Sequence, residues 1–318
     1  MSKANALHKT LVIIPALNEE EGIGLVLEEL LKTGVPRENI LVIDGGSTDR
    51  TVEIARSMGV KVVRQRGKGK AEAVREGLEE AFRRGFEYAV VIDADYTYPA
   101  SAIPRLLSRM EQEGLDEVIG ARVDGRENIP LLNRFGNWVL SKMFNLLFGT
   151  TLRDVCSGLY AVRLSSLLAT NPTPVETRGF SVEADIAAKI ASTTGRIGEE
   201  NIVYRKRRGK AKLRVSDGLR IATSMIRLAW RYNPVFILFL LASLLLVPGL
   251  LLGGYVAFSF LLYGIKYHVK GLLAAVLTTT GFIGLLFSIQ SLYLKRLEYR
   301  MFHRLRLLEE ELKRRRER

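Results

Sequence analysis

A chain of 318 residues, of which 47% are hydrophobic, is long enough for one or two domains with a sizeable core. Its net charge is +13, and its only cysteine, Cys156, excludes an intramolecular disulfide and a metal site built from several cysteines. We interpret this cysteine as a small buried residue rather than a nucleophile. The first ten residues contain no long apolar segment, so we expect no export by a secretory signal peptide.

The first hundred residues predict alternating strands and helices. The apolar start of "LVIIPALNEE" predicts a buried strand, and Asn18 is a candidate cap for a helix in "GIGLVLEELLK". The same order repeats in "ILVIDGGSTDRTVEIARSMG", after which "VKVVRQ" predicts a short strand. A loop and a helix follow in "GKGKAEAVREGLEEAFRRG" and end at Gly85, and "YAVVIDAD" predicts the next strand. This alternation predicts βαβ crossovers and an α/β fold with a largely parallel sheet.

Polar side chains follow three of these strands, at the point where each strand ends. They are Asn18 with Glu19, then Asp44, then Asp93 with Asp95. In parallel α/β sheets, ligands bind beyond the carboxyl ends of the strands. The common position of the three polar clusters therefore predicts one binding site at that edge of the sheet.

The pair of Asp93 and Asp95 predicts a metal site. Residues two apart on an extended strand point to the same face, so we expect the two carboxylates to lie side by side. Carboxylates in that position repel each other, and a divalent cation removes the conflict. Mg²⁺ and Mn²⁺ prefer oxygen ligands and commonly bridge carboxylates to phosphates. The alternative, which explains most lone D-x-D triplets, is a solvated turn or a helix cap.

Two uncharged stretches, 232–265 and 271–294, predict a membrane region. Each exceeds the roughly 20 apolar residues that a spanning helix needs. Seven basic residues without an acid in 205–214, and ten basic against five acidic residues in 295–318, flank these stretches. Because basic segments stay cytoplasmic, we expect two spans with both flanks in the cytoplasm. Pro248 is a candidate kink or break, and one or three spans are the alternatives.

Three motifs in order and spacing resemble those of the inverting family 2 glycosyltransferases. They are "PALNEE" (15–20), "DGGSTDRT" (44–51) and "DADYTYP" (93–99). The resemblance covers about residues 10–215. It implies the GT-A fold, with a Rossmann-like, mostly parallel sheet, followed by transmembrane helices. The appended spans narrow the resemblance to the branch of dolichyl-phosphate mannose synthases and related polyprenyl-phosphate glycosyltransferases.

The resemblance also implies a division of the chain. We expect a GT-A domain over 1–215, an interfacial helix over 216–232, a membrane domain with two transmembrane helices over 233–294 and a basic cytoplasmic tail over 295–318. In "DGLRIATSMIRLAWRYN", apolar and basic residues alternate at helical spacing, as in helices that lie at a membrane surface. The alternative is a soluble helix packed on the domain. The protein is thus expected to be a multi-pass membrane protein with a cytoplasmic catalytic domain.

The resemblance assigns roles to residues on the donor side of the site. Those implied to contact the nucleotide, its diphosphate or the metal are Pro15, Leu17, Glu19, Asp44, Asp93 and Asp95. Arg205, Arg207 and Lys212 are candidates either for the donor diphosphate or for anionic lipids, because a polybasic run before a membrane span is also a lipid-surface signal. Asp93 and Asp95 match the carboxylates that carry the metal and the diphosphate. Thr97 stands where this branch often has glutamine, and its hydroxyl is a candidate for a weaker metal ligand.

Other residues are implied on the acceptor side. The segment "GARVDGRENIPLLNRFGNWVLSKMFNLLFG" is basic and amphipathic and matches the region that contacts the lipid phosphate. Its candidates are Arg122, Arg126 and Arg134, because a planar guanidinium donates two hydrogen bonds to a phosphate. "LRDVCSGLYAVR" resembles the D-x-x-S-G segment of the family, and "GFSVEADI" its acceptor-side acid segment, which implicates Glu183.

The implied reaction is the inverting transfer of a hexose from GDP-mannose or a UDP-sugar to dolichyl or another polyprenyl phosphate, with Mg²⁺ or Mn²⁺. We expect Asp95, Arg122, Arg134 and Glu183 to take part in it. A phosphate oxygen is already ionised and needs no strong general base. The product would be a lipid-linked sugar for glycan assembly.

Three alternatives remain. Transfer to a lipid or protein hydroxyl would need a base such as Glu183. A processive polysaccharide synthase usually carries a Q-x-x-R-W sequence, which this chain lacks. A membrane-anchored protein that binds nucleic acid or acidic lipids would leave the three strand-end motifs unexplained, so we expect no nucleic-acid partner.

Overall fold

The computed structural model describes residues 3–168, 182–209, 227, 230 and 234–316. The chain divides into two compact units, Met1–Leu228 and Ala229–Arg318. Of the predicted interfacial helix, only Arg227 and Trp230 are described, and Lys212 lies outside the described residues.

The first unit is built on a seven-stranded sheet with the order β3-β2-β1-β4-β6-β5-β7. Its strands are β1 (Thr10–Ala16), β2 (Ile40–Asp44), β3 (Lys61–Arg64), β4 (Tyr88–Val91), β5 (Glu117–Asp124), β6 (Tyr160–Arg163) and β7 (Ile197–Val203). β6 runs antiparallel to both of its neighbours, and all the other pairs are parallel. The predicted, mostly parallel sheet is therefore confirmed. The central strands are nearly continuous apolar runs, which suits a sheet that is covered on both faces.

Helices connect the strands. They are α1 (Lys3–His8), α2 (Glu20–Lys32), α3 (Thr51–Ser57), α4 (Lys70–Arg83), α5 (Ile103–Glu113), α6 (Leu131–Phe148), α7 (Leu164–Leu168) and α8 (Val182–Thr193). Helix α5 shows why they pack as they do: Ile103, Leu106, Leu107 and Met110 recur at helical spacing and are buried. The helix ends at Glu113, and its capping residue Gly114 has a φ of 63°, a left-handed conformation that glycine adopts without strain.

Two local expectations were wrong. Asn18 does not cap α2, because Glu19 occupies the cap position and Asn18 has a φ of 49°. The Asn18 side chain instead accepts a hydrogen bond from the Thr48 amide at 2.8 Å. Strand β4 ends at Val91, so the two aspartates of the D-x-D triplet lie in the following turn rather than on an extended strand.

The second unit contains two long helices, α9 (Pro234–Tyr263) and α10 (His268–Arg316). Within the described residues, Pro234–Tyr263 and His268–Leu294 are long and apolar enough to cross a membrane. Pro248 lies inside α9 and does not end it. The two helices approach closely at glycines: a Cβ atom added at Gly284 would lie 2.9 Å from the Cβ atom of Ala242.

Candidate active site

The three motif loops meet at one edge of the sheet. Strands β2, β1 and β4 are parallel neighbours, and each motif follows the carboxyl end of one of them. Helix α2 lies close to the last of these loops, because a Cβ atom added at Gly22 would come within 2.9 Å of the Asp95 Cα atom. The position predicted from the sequence is therefore the position in which the fold brings these loops together.

Hydrogen bonds hold the first two motif loops to each other. The Asn18 amide donates to the Ser47 hydroxyl at 2.9 Å, and the Glu19 amide donates to the Thr51 hydroxyl at 2.8 Å. Asp44 accepts hydrogen bonds from the backbone N–H groups of Gly46 and Ser47. These contacts leave Leu17 exposed at the rim of the site, directly beside Gly45.

Asp95 is buried and held by its own turn. Its Oδ1 atom accepts hydrogen bonds from the Thr97 hydroxyl at 2.5 Å and from the Thr97 amide at 3.1 Å. Burial raises the pKa of Asp95, and the nearby charge of Asp93 raises it further. Because Thr97 is fully buried and its hydroxyl contacts this carboxylate, it is placed to orient Asp95, and its role as a metal ligand remains a prediction.

A cation from the segment after β7 lies against the same carboxylate. The Arg207 guanidinium is 2.6 Å from Asp95 Oδ2 and 2.5 Å from Glu19 Oε1. The segment is fixed there by its backbone, since the Arg205 amide donates to the Thr97 carbonyl and the Arg208 amide to the Asp95 carbonyl. The first and third motifs are thus joined through one guanidinium.

Arg205 pairs with a different carboxylate. Its guanidinium makes two hydrogen bonds with Glu29 of α2, at 2.7 and 2.9 Å, and its centre lies 4.7 Å from the centroid of the Tyr96 ring. Burial raises the pKa of Glu29, but the Arg205 charge and hydrogen bonds outweigh it and leave the pKa lowered. A role for Arg205 in donor binding remains a prediction.

The sequence did not predict a second ion-pair cluster, in which Lys70 contacts two carboxylates. The Lys70 ammonium is 2.6 Å from Asp93 Oδ1 and 2.5 Å from Glu183 Oε1. Burial lowers the pKa of Lys70, but the two carboxylates outweigh it and raise the pKa well above its usual value. Gly158 leaves room for this arrangement, because a Cβ atom there would collide with the Asp93 carboxylate.

The predicted acceptor arginines have different surroundings. Arg122 forms a buried pair with Asp154, with both hydrogen bonds at 2.6 Å, and its guanidinium centre lies 5.4 Å from the Tyr204 ring centroid. Arg126 and Arg134 are exposed at and before the start of α6. Arg126 donates to the Arg122 carbonyl at 3.1 Å. Two of the three arginines are therefore open to a ligand, and the third is already engaged by a carboxylate.

Cys156 lies near these charged clusters, and its surroundings disfavour the thiolate that a nucleophile needs. Burial raises the pKa of its thiol to about 12, and the Asp154 charge adds to this shift. The thiol is therefore protonated at neutral pH, which argues against a nucleophile, and the residue is half-buried rather than buried as the sequence predicted.

Sequence reasoning missed Lys70, Asp154 and Gly158. One feature of the sequence could have drawn attention to Lys70. It is the first residue of α4, and a cation is unfavourable at the positive end of a helix. Asp154 and Gly158 lie inside a segment that the sequence did associate with the family, but their partners Arg122 and Asp93 are distant in the chain. Only the fold shows those contacts.

The donor atoms present suit a divalent metal that is shared with a substrate. Among the described residues, no three His, Cys, Asp or Glu side chains form a metal-binding group by themselves. Mg²⁺ is commonly held by one or two carboxylates together with substrate phosphates and water, so the two aspartates are sufficient. The Arg207 guanidinium at Asp95 shows that this carboxylate already attracts a positive charge.

Comparisons with known proteins agree with the fold and the motifs. Residues 11–168 match the model of Glycosyl transferase family 2. The chain is 32% identical over 286 residues to Glycosyltransferase AglJ of Haloferax volcanii, covering 88% of this chain and 89% of that protein. The chain belongs to glycosyltransferase family 2. It is therefore a glycosyltransferase, as the resemblance of its motifs implied.

Two further comparisons describe its relatives. A dolichyl-phosphate hexose transferase of Haloferax volcanii is 34% identical over 218 residues, covering 68% of this chain and 92% of that protein. Glucosyl-3-phosphoglycerate synthase from Mycobacterium tuberculosis, solved with Mn²⁺, UDP and glucosyl-3-phosphoglycerate, has a TM-score of 0.55 at 21% identity. That alignment covers 72% of this chain and 84% of the synthase chain, and it confirms the GT-A fold.

Proposed function

We propose that this glycosyltransferase transfers a hexose from a nucleotide sugar to a polyprenyl phosphate, with inversion at the anomeric carbon. The observation that carries the proposal is the buried Asp95 carboxylate, which pairs with the Arg207 guanidinium where the loops after three neighbouring parallel strands meet. A diphosphate brought to this place would lie beside the two loops that match the nucleotide-contacting motifs. The dolichyl-phosphate hexose transferase relative supports a lipid phosphate as the acceptor.

The proposed chemistry is a single displacement. An oxygen of the acceptor phosphate attacks the anomeric carbon while the bond from that carbon to the donor diphosphate breaks, and a nucleoside diphosphate leaves. The attacking oxygen is already ionised, so the site needs no general base. Glu183, the carboxylate considered as a base for a hydroxyl acceptor, is engaged by the Lys70 ammonium at 2.5 Å, which favours the phosphate acceptor.

The chain's own residues would then act by position and charge. Glu19 and Asp44 hold the nucleotide side, while Arg126 and Arg134 are exposed for the acceptor phosphate. A Mg²⁺ or Mn²⁺ ion would be held by Asp93 and Asp95 and would neutralise charge on the leaving diphosphate. Orienting two anionic substrates and stabilising the leaving group are the contributions that this arrangement favours.

The surface of α6 supports an acceptor that comes from a membrane. Its first half exposes large apolar side chains next to Arg134, and Phe135 and Trp138 stack with their ring centroids 6.0 Å apart. The exposed fractions are 75% for Leu131, 63% for Phe135 and 56% for Trp138, which are high for large apolar side chains on a soluble domain. We infer that this helix meets the lipid surface.

We also propose a membrane topology for α9 and α10. α9 and the first part of α10 would cross the membrane as a pair, which leaves both basic flanks on the cytoplasmic side. The catalytic unit and the tail would then face the cytoplasm, where nucleotide sugars would be the donors.

A screen of radiolabelled nucleotide sugars against polyprenyl phosphates tests the proposal. Purified full-length protein in phospholipid vesicles is given GDP-mannose, UDP-glucose or UDP-N-acetylglucosamine with dolichyl or undecaprenyl phosphate. We expect one donor to give a labelled lipid with an inverted anomeric bond. Transfer to a lipid alcohol but not to its phosphate would favour the hydroxyl-acceptor alternative, and a product of retained configuration would contradict the displacement.

A further inference from the structure

Lys70 joins two carboxylates that come from separate parts of the fold. It is the first residue of α4, whereas Asp93 follows β4 and Glu183 is the second residue of α8. The ammonium contacts both carboxylates, at 2.6 and 2.5 Å, and the three side chains are only 22%, 26% and 9% exposed. An ammonium has three N–H donors, so one donor remains beyond these two contacts.

Local structure and stability do not explain this lysine. A cation at the first turn of a helix is opposed by the helix dipole. A buried cluster of three charges contributes less to stability than apolar side chains of similar volume commonly do. The fold nevertheless keeps space for the cluster, since Gly158 is the residue whose side chain would collide with the Asp93 carboxylate. The arrangement therefore points to a task in the active site.

We propose that Lys70 is a positioning residue that connects the donor side of the site to the acceptor side and sets the charge that the acceptor phosphate meets. The inference rests on the proposed transfer to a lipid phosphate. Two carboxylates and one ammonium leave the cluster with one negative charge. Without Lys70, the two carboxylates would present one more negative charge to an acceptor that is itself an anion, whether or not a metal also compensates Asp93.

The positions of these residues make the effect specific. Asp93 is two residues from Asp95, at the proposed diphosphate site, and Glu183 belongs to the segment that the family resemblance assigns to the acceptor. Lys70 holds both, so it fixes the distance between the two halves of the site as well as their charge. Removing it should weaken acceptor binding more than it weakens donor binding.

The test compares Lys70→Met, Lys70→Gln and Lys70→Arg with the wild-type protein in detergent. Isothermal calorimetry measures two affinities: that of the donor's nucleoside diphosphate in the presence of Mn²⁺, and that of farnesyl phosphate, a short polyprenyl phosphate, once Mn²⁺ and this diphosphate are bound. We expect Lys70→Met and Lys70→Gln to weaken the binding of farnesyl phosphate about ten-fold or more, because one compensating charge is lost at short range in a partly buried site. Lys70→Arg, which keeps the charge, should recover most of the loss.

Two further variants separate charge from packing. Adding Glu183→Gln to Lys70→Met restores the single negative charge, so acceptor affinity should rise again relative to Lys70→Met alone. Lys61→Met is the matched control, because Lys61 lies on the edge strand β3, its side chain is 51% exposed and it pairs with a single carboxylate, that of Glu80 in α4. It should leave both affinities unchanged. If Lys70→Met does not fold, the acceptor affinity of the double variant Lys70→Met with Glu183→Gln is compared with that of Glu183→Gln alone. This comparison also removes the Lys70 charge from an otherwise identical protein.

The outcomes distinguish this inference from the proposed function. Wild-type protein that neither binds farnesyl phosphate nor transfers sugar to any polyprenyl phosphate overturns both. If the wild-type protein transfers sugar and Lys70→Met and Lys70→Gln bind the acceptor as tightly as it does, the role of Lys70 is overturned. The proposed function is then unaffected. Equal loss of donor and acceptor affinity, without recovery in Lys70→Arg or in the double variant, would reduce Lys70 to a structural residue.

Discussion

Replacing Arg207 with alanine should have opposite effects on metal binding and on catalysis. Its guanidinium lies against Asp95 and Glu19, the carboxylates of the third and first motifs. A divalent metal that binds Asp95 must compete with this internal cation. Once a diphosphate is present, the same guanidinium becomes available to neutralise it. Arg207→Ala should therefore bind Mn²⁺ alone more tightly, yet transfer sugar more slowly.

The size of the effect follows from the burial of the two pairs. The carboxylates of Glu19 and Asp95 are 9% and 7% exposed, while Arg207 is 28% exposed. Breaking a fully buried pair costs about 3–5 kcal/mol, and partial exposure of Arg207 reduces this through solvent screening. We expect about 1.5–3 kcal/mol, which corresponds to roughly a ten- to hundred-fold gain in affinity for the metal alone.

Calorimetric titration of Mn²⁺ without nucleotide measures the first effect, and steady-state transfer with saturating metal measures the second. Arg208→Ala is the matched control, because it removes the same charge from the neighbouring residue, whose side chain is exposed. The control should bind Mn²⁺ as the wild-type protein does. An Arg207→Ala protein with unchanged or weaker affinity for Mn²⁺ would refute competition between the guanidinium and the metal.

Three further substitutions test separate parts of the structure. Gly158→Ala places a methyl group against the Asp93 carboxylate, so transfer should fall about ten-fold or more while the melting temperature shifts by only a few degrees. Glu117 is buried, and burial raises its pKa well above the usual value. The folded protein therefore loses stability as pH rises above the pKa of this glutamate in the unfolded chain, because the buried carboxyl resists ionisation. Glu117→Gln should therefore stabilise the protein by about 1 kcal/mol or more at pH 7 and by little at pH 4, as measured by thermal unfolding. Gly284→Leu places a large side chain against Ala242, so it should separate α9 from α10 and lower the melting temperature in detergent.

Matched variants exist for two of these tests. Gly136 lies in α6 with nothing within 4 Å of an added Cβ atom, so Gly136→Ala should leave activity unchanged. Gly254 lies in α9 with similarly open space, so Gly254→Leu should have little effect on unfolding in detergent. If Gly158→Ala were as active as Gly136→Ala, the close fit around Asp93 would not matter for transfer. If Glu117→Gln stabilised the protein equally at pH 4 and pH 7, the raised pKa of Glu117 would be contradicted.

Regular patterns in the sequence were sufficient for the architecture. Apolar runs and helical spacing predicted the alternating strands and helices, and the common position of three polar clusters predicted the edge of the sheet where they meet. The antiparallel strand β6 was not predictable in this way, because its pairing of Tyr160 with Val91 joins residues far apart in the chain. Local periodicity carries no information on such a pairing.

Side-chain direction was the less predictable part of the site. The two aspartates were expected to project together from a strand, but the strand ends at Val91 and they turn to different partners. Asp93 contacts Lys70, while Asp95 contacts Thr97 and Arg207. Both cations come from other elements of the fold, and a motif read along one stretch of chain cannot show them.

Sugar transfer should depend on a divalent metal at Asp95, and metal depletion of the purified protein is the decisive test of this dependence. Transfer from the active nucleotide sugar to polyprenyl phosphate is measured after chelation, after return of Mn²⁺ or Mg²⁺, and in Asp95→Asn. We expect loss of transfer on chelation, recovery with either metal, and a loss of about 10²-fold or more in Asp95→Asn that added metal does not repair. Full activity after chelation, or near-normal transfer by Asp95→Asn, would contradict this dependence.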